Sequence, residues 1–270
     1  MRRAVSAVPA GLGALGMAIL ATLALGVASA SATEVVYSNF NTVPAMVNGH
    51  PNQDTYSEDF EFFPFGGMVE VPRTRDSVLK SIATQVDSFA CEHGVYSLEN
   101  CYTLHESKKF HFSLTASVYK VSVGNEPEGA ALATDTETFR IPYRPTTNVS
   151  CPATPEGKGF GANCDVGGFL ATVKFKKFSA EVVLPAKFII EISTTEPLAS
   201  EEATPVNVGL QTSYKEFSGG EFFGEPPANG GVPSVGSDPL PKAVYYQGKL
   251  NEENGGWEGY QPVFEVMTRH

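Results

Sequence analysis

The segment from Phe110 to Val121 alternates strictly between apolar and polar residues. Its apolar positions are Phe110, Phe112, Leu114, Ala116 and Val118. A period of two over this length predicts a β-strand that turns one face to a hydrophobic core and the other face to water.

Two further segments, 78–86 and 169–175, show a similar alternation. In the first segment, Val78, Ile82 and Val86 are predicted to share the buried face. In the second, the shared face carries Phe169, Ala171, Val173 and Phe175. Both segments are therefore predicted to be strands with one buried side.

Shorter runs are rich in the β-branched and aromatic residues that strand geometry favours. These runs are Val35–Tyr37, Met68–Val71, Thr134–Ile141, Lys187–Ser193, Val206–Tyr214, Ala243–Tyr246 and Val263–Met267. No window after residue 33 keeps a helical period over three turns, and 19 prolines and 26 glycines punctuate the chain. The pattern predicts an all-β protein, an antiparallel two-sheet sandwich with a jelly-roll-like arrangement.

The segment 217–241 interrupts this rhythm with six glycines and five prolines. It is either an interdomain linker or a long surface loop whose aromatic residues pack back onto the domain. Only about 29 residues follow it, which is too few for an independent core. We therefore predict a Gly/Pro-rich loop at 217–241 within a single domain spanning 33–270.

The N-terminus has the pattern of a secretory signal peptide. Arg2 and Arg3 precede an apolar run over 12–27, and a tract of small residues, 28–32, offers cleavage after Ala32 or Ala30. The alternative is an uncleaved anchor, but the run is shorter than the roughly 20 residues that a bilayer span needs. The sequence predicts a signal peptide at 1–32, a secreted, extracellular mature chain and no membrane span after cleavage.

Four cysteines, Cys91, Cys101, Cys151 and Cys164, are expected to form disulfides in an exported chain. Three pairings are open. The local pairing of Cys91 with Cys101 and Cys151 with Cys164 is favoured, because each pair brackets a polar, turn-rich segment. A zinc site is the alternative, and Cys91-x-His93 is the only hint of one.

The acidic charge of the chain limits its partners. The net charge is −11, and removing Arg2 and Arg3 leaves 17 basic against 30 acidic residues, or about −13. Such a surface repels phosphate backbones, so nucleic acid is not an expected partner. The charge is compatible with solubility, cation binding or contact with neutral polymers, and it selects none of them.

Motifs of the common hydrolases are missing from the sequence. The nearest approach to a nucleophile elbow, around Ser234, has the wrong spacing, and His105-Glu106 lacks the second histidine of a zincin. Glycoside hydrolysis needs only two facing carboxylates, and Glu191 is the most interesting single candidate. Alternation places Glu191 with Ile189, on the opposite face from Ile190, which favours a solvent-side position.

Two oxygen-rich patches allow a structural calcium ion. Asp54, Glu58 and Asp59, with Asn52, form the first patch, and 251–254 forms the second. Neither patch has an EF-hand pattern, and acidic turn residues are usually only solvated. No other cofactor is expected.

Trp257 and Tyr260 are the candidate binding residues. They lie among glycines in Gly255-Gly256-Trp257-Glu258-Gly259-Tyr260, where they could present flat faces for stacking on sugar rings. The alternative is that both residues cover one end of the core.

Several runs also carry a resemblance. They are Thr136–Pro145, the pair Cys151 and Cys164, Val183–Ile190, Asp238–Pro241 and Gly259–Pro262. In this order they resemble a group of uncharacterised secreted bacterial proteins of actinobacterial type. The resemblance implies export, a β-sandwich and local disulfides, and it implies no activity.

The combined prediction is an exported, non-catalytic extracellular protein that binds carbohydrate or a cell-envelope polymer. A sandwich-fold glycosidase or polysaccharide lyase is the first alternative, and a purely structural secreted protein is the second.

Overall fold

The predicted alternation is realised as a set of antiparallel strands in a computed structural model of the chain. The structure describes residues 32–40, 46–47, 50–51, 64–72, 77–88, 90–94, 99–105, 108–154, 157–161, 164, 169–194, 217–219, 221–223, 233–240, 243–246, 249–252 and 260–269. Within these ranges there is no α-helix, and no helix that could cross a membrane.

The strands are numbered in chain order. They are β1 (Thr33–Ser38), β2 (Met46–Val47), β3 (His50–Pro51), β4 (Phe65–Glu70), β5 (Val78–Ser88), β6 (Lys109–Val121), β7 (Pro127–Pro142), β8 (Ala153–Thr154), β9 (Gly157–Lys158), β10 (Phe169–Phe175), β11 (Lys187–Ser193), β12 (Phe217–Gly219), β13 (Glu221–Phe223), β14 (Ala243–Tyr246), β15 (Lys249–Glu252), β16 (Tyr260–Pro262) and β17 (Phe264–Arg269).

Two antiparallel sheets form the body of the protein. Sheet I has the strand order β1-β17-β5-β10, with β12 also paired to β5. Sheet II has the order β15-β14-β4-β11-β6-β7. One hydrophobic cluster contains side chains of both sheets, such as Ile82 and Val266 of sheet I and Leu114 and Ile190 of sheet II. The predicted all-β, two-sheet sandwich is therefore confirmed, whereas the jelly-roll-like arrangement stays a prediction.

The strand faces follow the predicted alternation with one exception. All the apolar positions of β6 from Phe110 to Val118 are buried, and Val173 and Phe175 of β10 are buried as well. In β5, however, the core residue is Leu79 and not Val78. Leu79 and Ser81 face consecutive residues of β17, so Lys80 has no residue opposite it in β17 and forms a bulge that shifts the alternation.

A short segment closes one side of the sandwich. Residues 176–179 leave β10 in sheet I and run along β7 in sheet II. The Ser179 amide donates to the carbonyl oxygen of Thr134 (2.7 Å), and the Lys177 amide donates to Oδ2 of Asp135 (2.6 Å). The Thr134 amide also donates to Ser179 Oγ (3.1 Å), so the bonds with Ser179 satisfy two backbone groups at the outer edge of β7.

A second segment, residues 234–240, joins the two sheets elsewhere, and we name it the bridging segment. The Ser38 amide of β1 donates to the carbonyl oxygen of Val235 (3.0 Å). The amides of Ser237 and Glu70 of β4 each donate to the carbonyl of the other (2.9 and 2.8 Å). Part of the predicted 217–241 loop is thus ordered backbone, and its start forms β12 and β13.

Both favoured disulfides are present. Cys91 pairs with Cys101 and Cys151 pairs with Cys164, so all four cysteines are bonded. Residues 147–148 connect the two loops, because the Thr147 amide donates to the carbonyl oxygen of Cys101 (3.0 Å) and the Asn148 amide donates to that of Gly159 (2.9 Å). Two such bonds indicate an oxidising environment.

A fully buried arginine lies where the two disulfide loops meet. The Arg144 amide donates to the carbonyl of Ala90 (2.8 Å), and the Arg144 carbonyl accepts a bond from Thr103 Oγ1 (2.7 Å). The guanidinium donates to Thr147 Oγ1 (3.3 Å) and lies 4.7 Å from the centre of the Phe160 ring. The Arg144 side chain therefore contacts the second disulfide loop at Phe160, while its backbone bonds residues on either side of the first loop.

Removing either disulfide is expected to lower the free energy of unfolding by about 2–3 kcal/mol, because the closed loops are short. The matched variants are C91A/C101A and C151A/C164A, with sequence separations of 10 and 13. Urea unfolding curves measure the change. An unchanged midpoint in both variants would show that the bonds do not stabilise the fold.

The predicted domain boundaries stay a prediction. Residues Ser31–His270 form one compact unit. The predicted signal peptide at 1–32 and the predicted strand at 206–214 lie outside the described residues, apart from Ala32.

Candidate functional site

The outer face of β4 and β11 carries charged side chains at both of its ends. Three rows of facing residues follow one another along these strands: Glu70 with Lys187, Met68 with Ile189, and Gly66 with Glu191. Successive rows are about 7 Å apart. The middle row is buried in a small cluster with Tyr245 and Leu240, separate from the main core.

An open groove of about 770 Å³ lies at the Glu70–Lys187 end of this face. The end of β4, the start of β11 and the bridging segment line it. Lys187 Nζ is 3.6 Å from Glu70 Oε1, and the Ser237 hydroxyl donates to Glu70 Oε2 (3.1 Å). An ammonium, a carboxylate and a hydroxyl thus face one opening and offer both donors and acceptors.

Two tyrosines and two glutamates gather at the other end of the face. The Tyr119 hydroxyl makes a long bond to Glu191 Oε1 (3.5 Å), and the Tyr245 hydroxyl makes one to Glu126 Oε2 (3.4 Å). Burial raises the pKa of Glu191, although the bond from Tyr119 opposes the shift. Glu191 lies on the face with Ile189, while Ile190 is in the core, as the alternation predicts.

Asp238 of the bridging segment is a strongly perturbed acid among the described residues. Its Oδ1 accepts the Leu240 amide (2.8 Å), which would lower the pKa. Burial outweighs this bond and raises the pKa to about 6 from the ordinary 3.8. Asp238 in turn raises the pKa of Tyr37 of β1, adding to the effect of burial. The acid therefore titrates close to neutral pH, next to the groove residue Ser237.

A second carboxylate pair, Asp135 and Glu137, holds the segment 176–179. The Lys177 amide donates to Asp135 Oδ2 (2.6 Å), while the Lys176 amide and Lys177 Nζ donate to the two carboxylate oxygens of Glu137 (3.1 and 3.0 Å). Burial raises the pKa of Asp135, while bonds from Lys177 and the Lys176 amide hold the pKa of Glu137 low against its own burial. Both carboxylates are thus occupied by bonds from residues 176–177, which gives the pair a structural role.

Of the two predicted binding residues, Trp257 and Tyr260, the structure describes only the backbone of Tyr260. Tyr260 belongs to β16, which neighbours β14 and β4 of sheet II. Trp257 and the side chain of Tyr260 lie outside the described residues, so the structure does not test them.

The predicted calcium residues Asp54, Glu58 and Asp59 also lie outside the described residues. In the part of the chain that is described, no group of three or more His, Cys, Asp or Glu is placed to hold a metal ion. His93, the remaining hint of zinc, accompanies a cysteine that is bonded in a disulfide.

Sequence reasoning missed the groove residues. Glu70, Lys187 and Ser237 come from three distant segments, and no spacing in the sequence joins them. The one available signal was Lys187 as the first residue of a predicted strand, which suggested a strand end and nothing more.

No protein-family model matches this chain, and no curated protein or solved structure is significantly similar to it. The resemblance to secreted actinobacterial proteins therefore stays a prediction. The functional argument rests on the chemistry of the site.

Proposed function

We propose that this protein is an exported, non-catalytic protein that binds a carbohydrate or cell-envelope polymer in the groove at Glu70, Lys187 and Ser237. The observation that carries the proposal is the combination of an ammonium, a carboxylate and a hydroxyl at one open groove. Sugar hydroxyl groups both donate and accept hydrogen bonds, so they match such a mixed set.

The groove has the size and support of a binding site. Its volume of about 770 Å³ lies in the usual range for ligand sites, roughly 300–1,000 Å³. Glu70 and Lys187 are held at the ends of paired strands, and Ser237 is held by two backbone bonds to Glu70. Rigid elements of this kind limit the entropy lost on binding.

The groove offers little support for catalysis. Among the described lining residues, Glu70 is the only carboxylate, and it is already bonded to Lys187 and Ser237. Glycoside hydrolysis requires a second carboxyl group across the cleft. The net charge of −11 also favours a neutral polymer over a polyanion.

Affinity electrophoresis tests the proposal with gels that contain β-glucan, xylan, galactomannan or acidic alginate. We expect at least one neutral polysaccharide to retard the purified protein and alginate to have no effect. K187M is expected to weaken binding about tenfold, since a hydrogen bond to a charged group is lost. The matched control is K109M, because Lys109 is also an exposed first residue of a strand in sheet II.

Three results would contradict the proposal. Free migration in every gel would contradict carbohydrate binding. Equal effects of K187M and K109M on binding would show that the groove is not the binding site. If the protein released reducing ends from a polysaccharide and E70Q did not, the protein would be a glycosidase and not a non-catalytic binding protein.

A further inference from the structure

The first disulfide loop presents an aromatic pair to solvent. His93 and Tyr102 lie opposite each other in a short antiparallel bridge, in which the amide of each donates to the carbonyl oxygen of the other (2.9 and 2.8 Å). The centroids of their rings are 6.3 Å apart, within the range of interacting rings. Tyr102 is 48% exposed, and the His93 side chain is 54% exposed. The pair therefore offers ring surface to a ligand.

The burial pattern along 101–104 explains why this surface faces outward. Cys101 and Thr103 are buried, whereas Tyr102 and Leu104, which is 51% exposed, alternate with them and point away from the body of the protein. Among the tyrosines and phenylalanines whose side chains the structure describes, Tyr102 is the only exposed one. An aromatic residue thus stands where the core does not need it.

The loop that carries the pair is rigid. The disulfide closes it, and Gly94 has a φ of 83° at a point where a Cβ would collide with the carbonyl oxygen of Asn100. Glu92 Oε2 accepts the Leu104 amide (2.8 Å), and Glu92 Oε1 is 3.0 Å from Lys108 Nζ. Rings held in this way lose little conformational entropy when a ligand binds.

The size of the exposed patch selects a small ligand surface. Tyr102, His93 and Leu104 are each about half exposed, so together they offer roughly 250–300 Å². A stable interface with another protein, including a second copy of this chain, needs about 800 Å² on each partner. One aromatic ring matches one sugar ring, whose C–H groups pack over the negative face of the aromatic ring. The area thus favours a saccharide unit over a protein surface.

The polar groups beside the pair suit sugar hydroxyl groups. Glu92 Oε1 lies 4.0 Å from His93 Nε2 as well as close to Lys108 Nζ. An ammonium group that donates and a carboxylate that accepts are therefore next to the rings. Because these two charges are paired, the loop matches a neutral saccharide better than a charged one.

We propose that the His93–Tyr102 pair is a second carbohydrate-binding site, in which one sugar ring of a neutral polysaccharide stacks on Tyr102. The ligand class rests on the proposed function, but the site is separate from the groove. The loop lies at the Lys109 end of β6, whereas Lys187 precedes Phe188, which faces Lys120 near the other end of β6. The two sites are thus roughly 40 Å apart along the strand.

Two substitutions at Tyr102 test the stacking in the same polysaccharide gels. Y102F keeps the ring and should bind like wild type. Y102L keeps an apolar side chain without a planar ring and should weaken binding to the retarding neutral polysaccharide about three- to tenfold. The matched control is V149A, since Val149 is an exposed apolar residue close to the second disulfide. Binding of Y102L equal to that of Y102F would overturn the site.

An NMR titration distinguishes the second site from the groove. The probes are cellohexaose, xylohexaose and mannohexaose, and the reporters are the ring protons of Tyr102 and His93 and the amide of Ser237. We expect the ring protons to shift in wild type and equally in K187M, in which the groove is weakened. Shifts at Ser237 without shifts of the rings contradict the second site alone. Shifts of the rings without a shift at Ser237 contradict binding in the groove alone.

Discussion

Replacing Arg144 by alanine is expected to lower the free energy of unfolding by about 3–5 kcal/mol. Arg144 is fully buried, so its removal leaves a large cavity between the disulfide loops. The variant also loses the bond to Thr147 and the stacking on Phe160. Urea unfolding with both disulfides intact measures the loss.

Two further substitutions separate packing from charge at this position. R144M keeps most of the volume and removes the charge, so it should lose clearly less than R144A. R144K keeps the charge but cannot stack a planar group on Phe160 or reach Thr147 with the same geometry. It should fall between wild type and alanine.

The rates at which the two disulfides are reduced show which loop the Arg144 side chain supports. R144A keeps the backbone bonds to Ala90 and Thr103 but loses the side-chain contacts with Thr147 and Phe160, so it should expose the loop that contains Phe160. We expect Cys151–Cys164 to be reduced faster than in wild type, whereas reduction of Cys91–Cys101 should change little. A variant within about 1 kcal/mol of wild type, or an unchanged rate of reduction of Cys151–Cys164, would contradict this role.

Local patterns predicted the strands well because strand faces are set by neighbours in sequence. The predicted bounds of β10, β11 and β14 agree with the structure. The prediction failed at Lys80, since a bulge depends on the register of the partner strand β17. The burial of Leu79 in place of Val78 follows from that register, which is set by a strand far away in the sequence.

The disulfide pairing was predictable for the same reason. Each pair closes a short turn-rich loop, so the short sequence separation of the two cysteines was enough to predict which cysteines pair. The burial of Arg144 was not predictable, because arginine is almost never fully buried unless paired. Its environment is assembled from two loops that the sequence places about 50 residues apart.

The groove was the feature least predictable from the sequence. Glu70 and Lys187 meet only through the pairing of β4 with β11, and Ser237 arrives through the bridging segment. A lone Asp238 in a Pro-rich run gives no sign that it will be buried. Such a site depends on the whole fold, so the chemistry is visible only after the sheets are assembled.

Replacing Gly66 by alanine should disrupt the centre of sheet II, with a loss of about 3 kcal/mol or more. A Cβ at Gly66 would collide with the carbonyl oxygen of Ile190 and lie 3.0 Å from the Cα of Glu191. Both obstacles are backbone atoms of β11, which cannot turn aside as a side chain could. The strands must therefore separate where β4 pairs with β11 and with Tyr245 of β14.

Two other glycines supply matched controls for this effect. At Gly124 a Cβ would meet only the Ser122 hydroxyl at 3.9 Å, so G124A should change stability by no more than about 0.5 kcal/mol. Gly129 has open space around it but a φ of 71°, so G129A should cost about 1 kcal/mol through backbone strain alone.

The three variants together distinguish collision from conformation. In urea unfolding, G66A should lose the most free energy of unfolding, G129A less and G124A least. A collision of the new Cβ with backbone atoms costs more than a positive φ, and both cost more than a Cβ placed in open space. G66A should also weaken polysaccharide binding, because Glu70 and Lys187 lie on the strands that it forces apart. Equal stability of G66A and G124A would show that β4 and β11 are not paired in the register of Gly66 with Glu191.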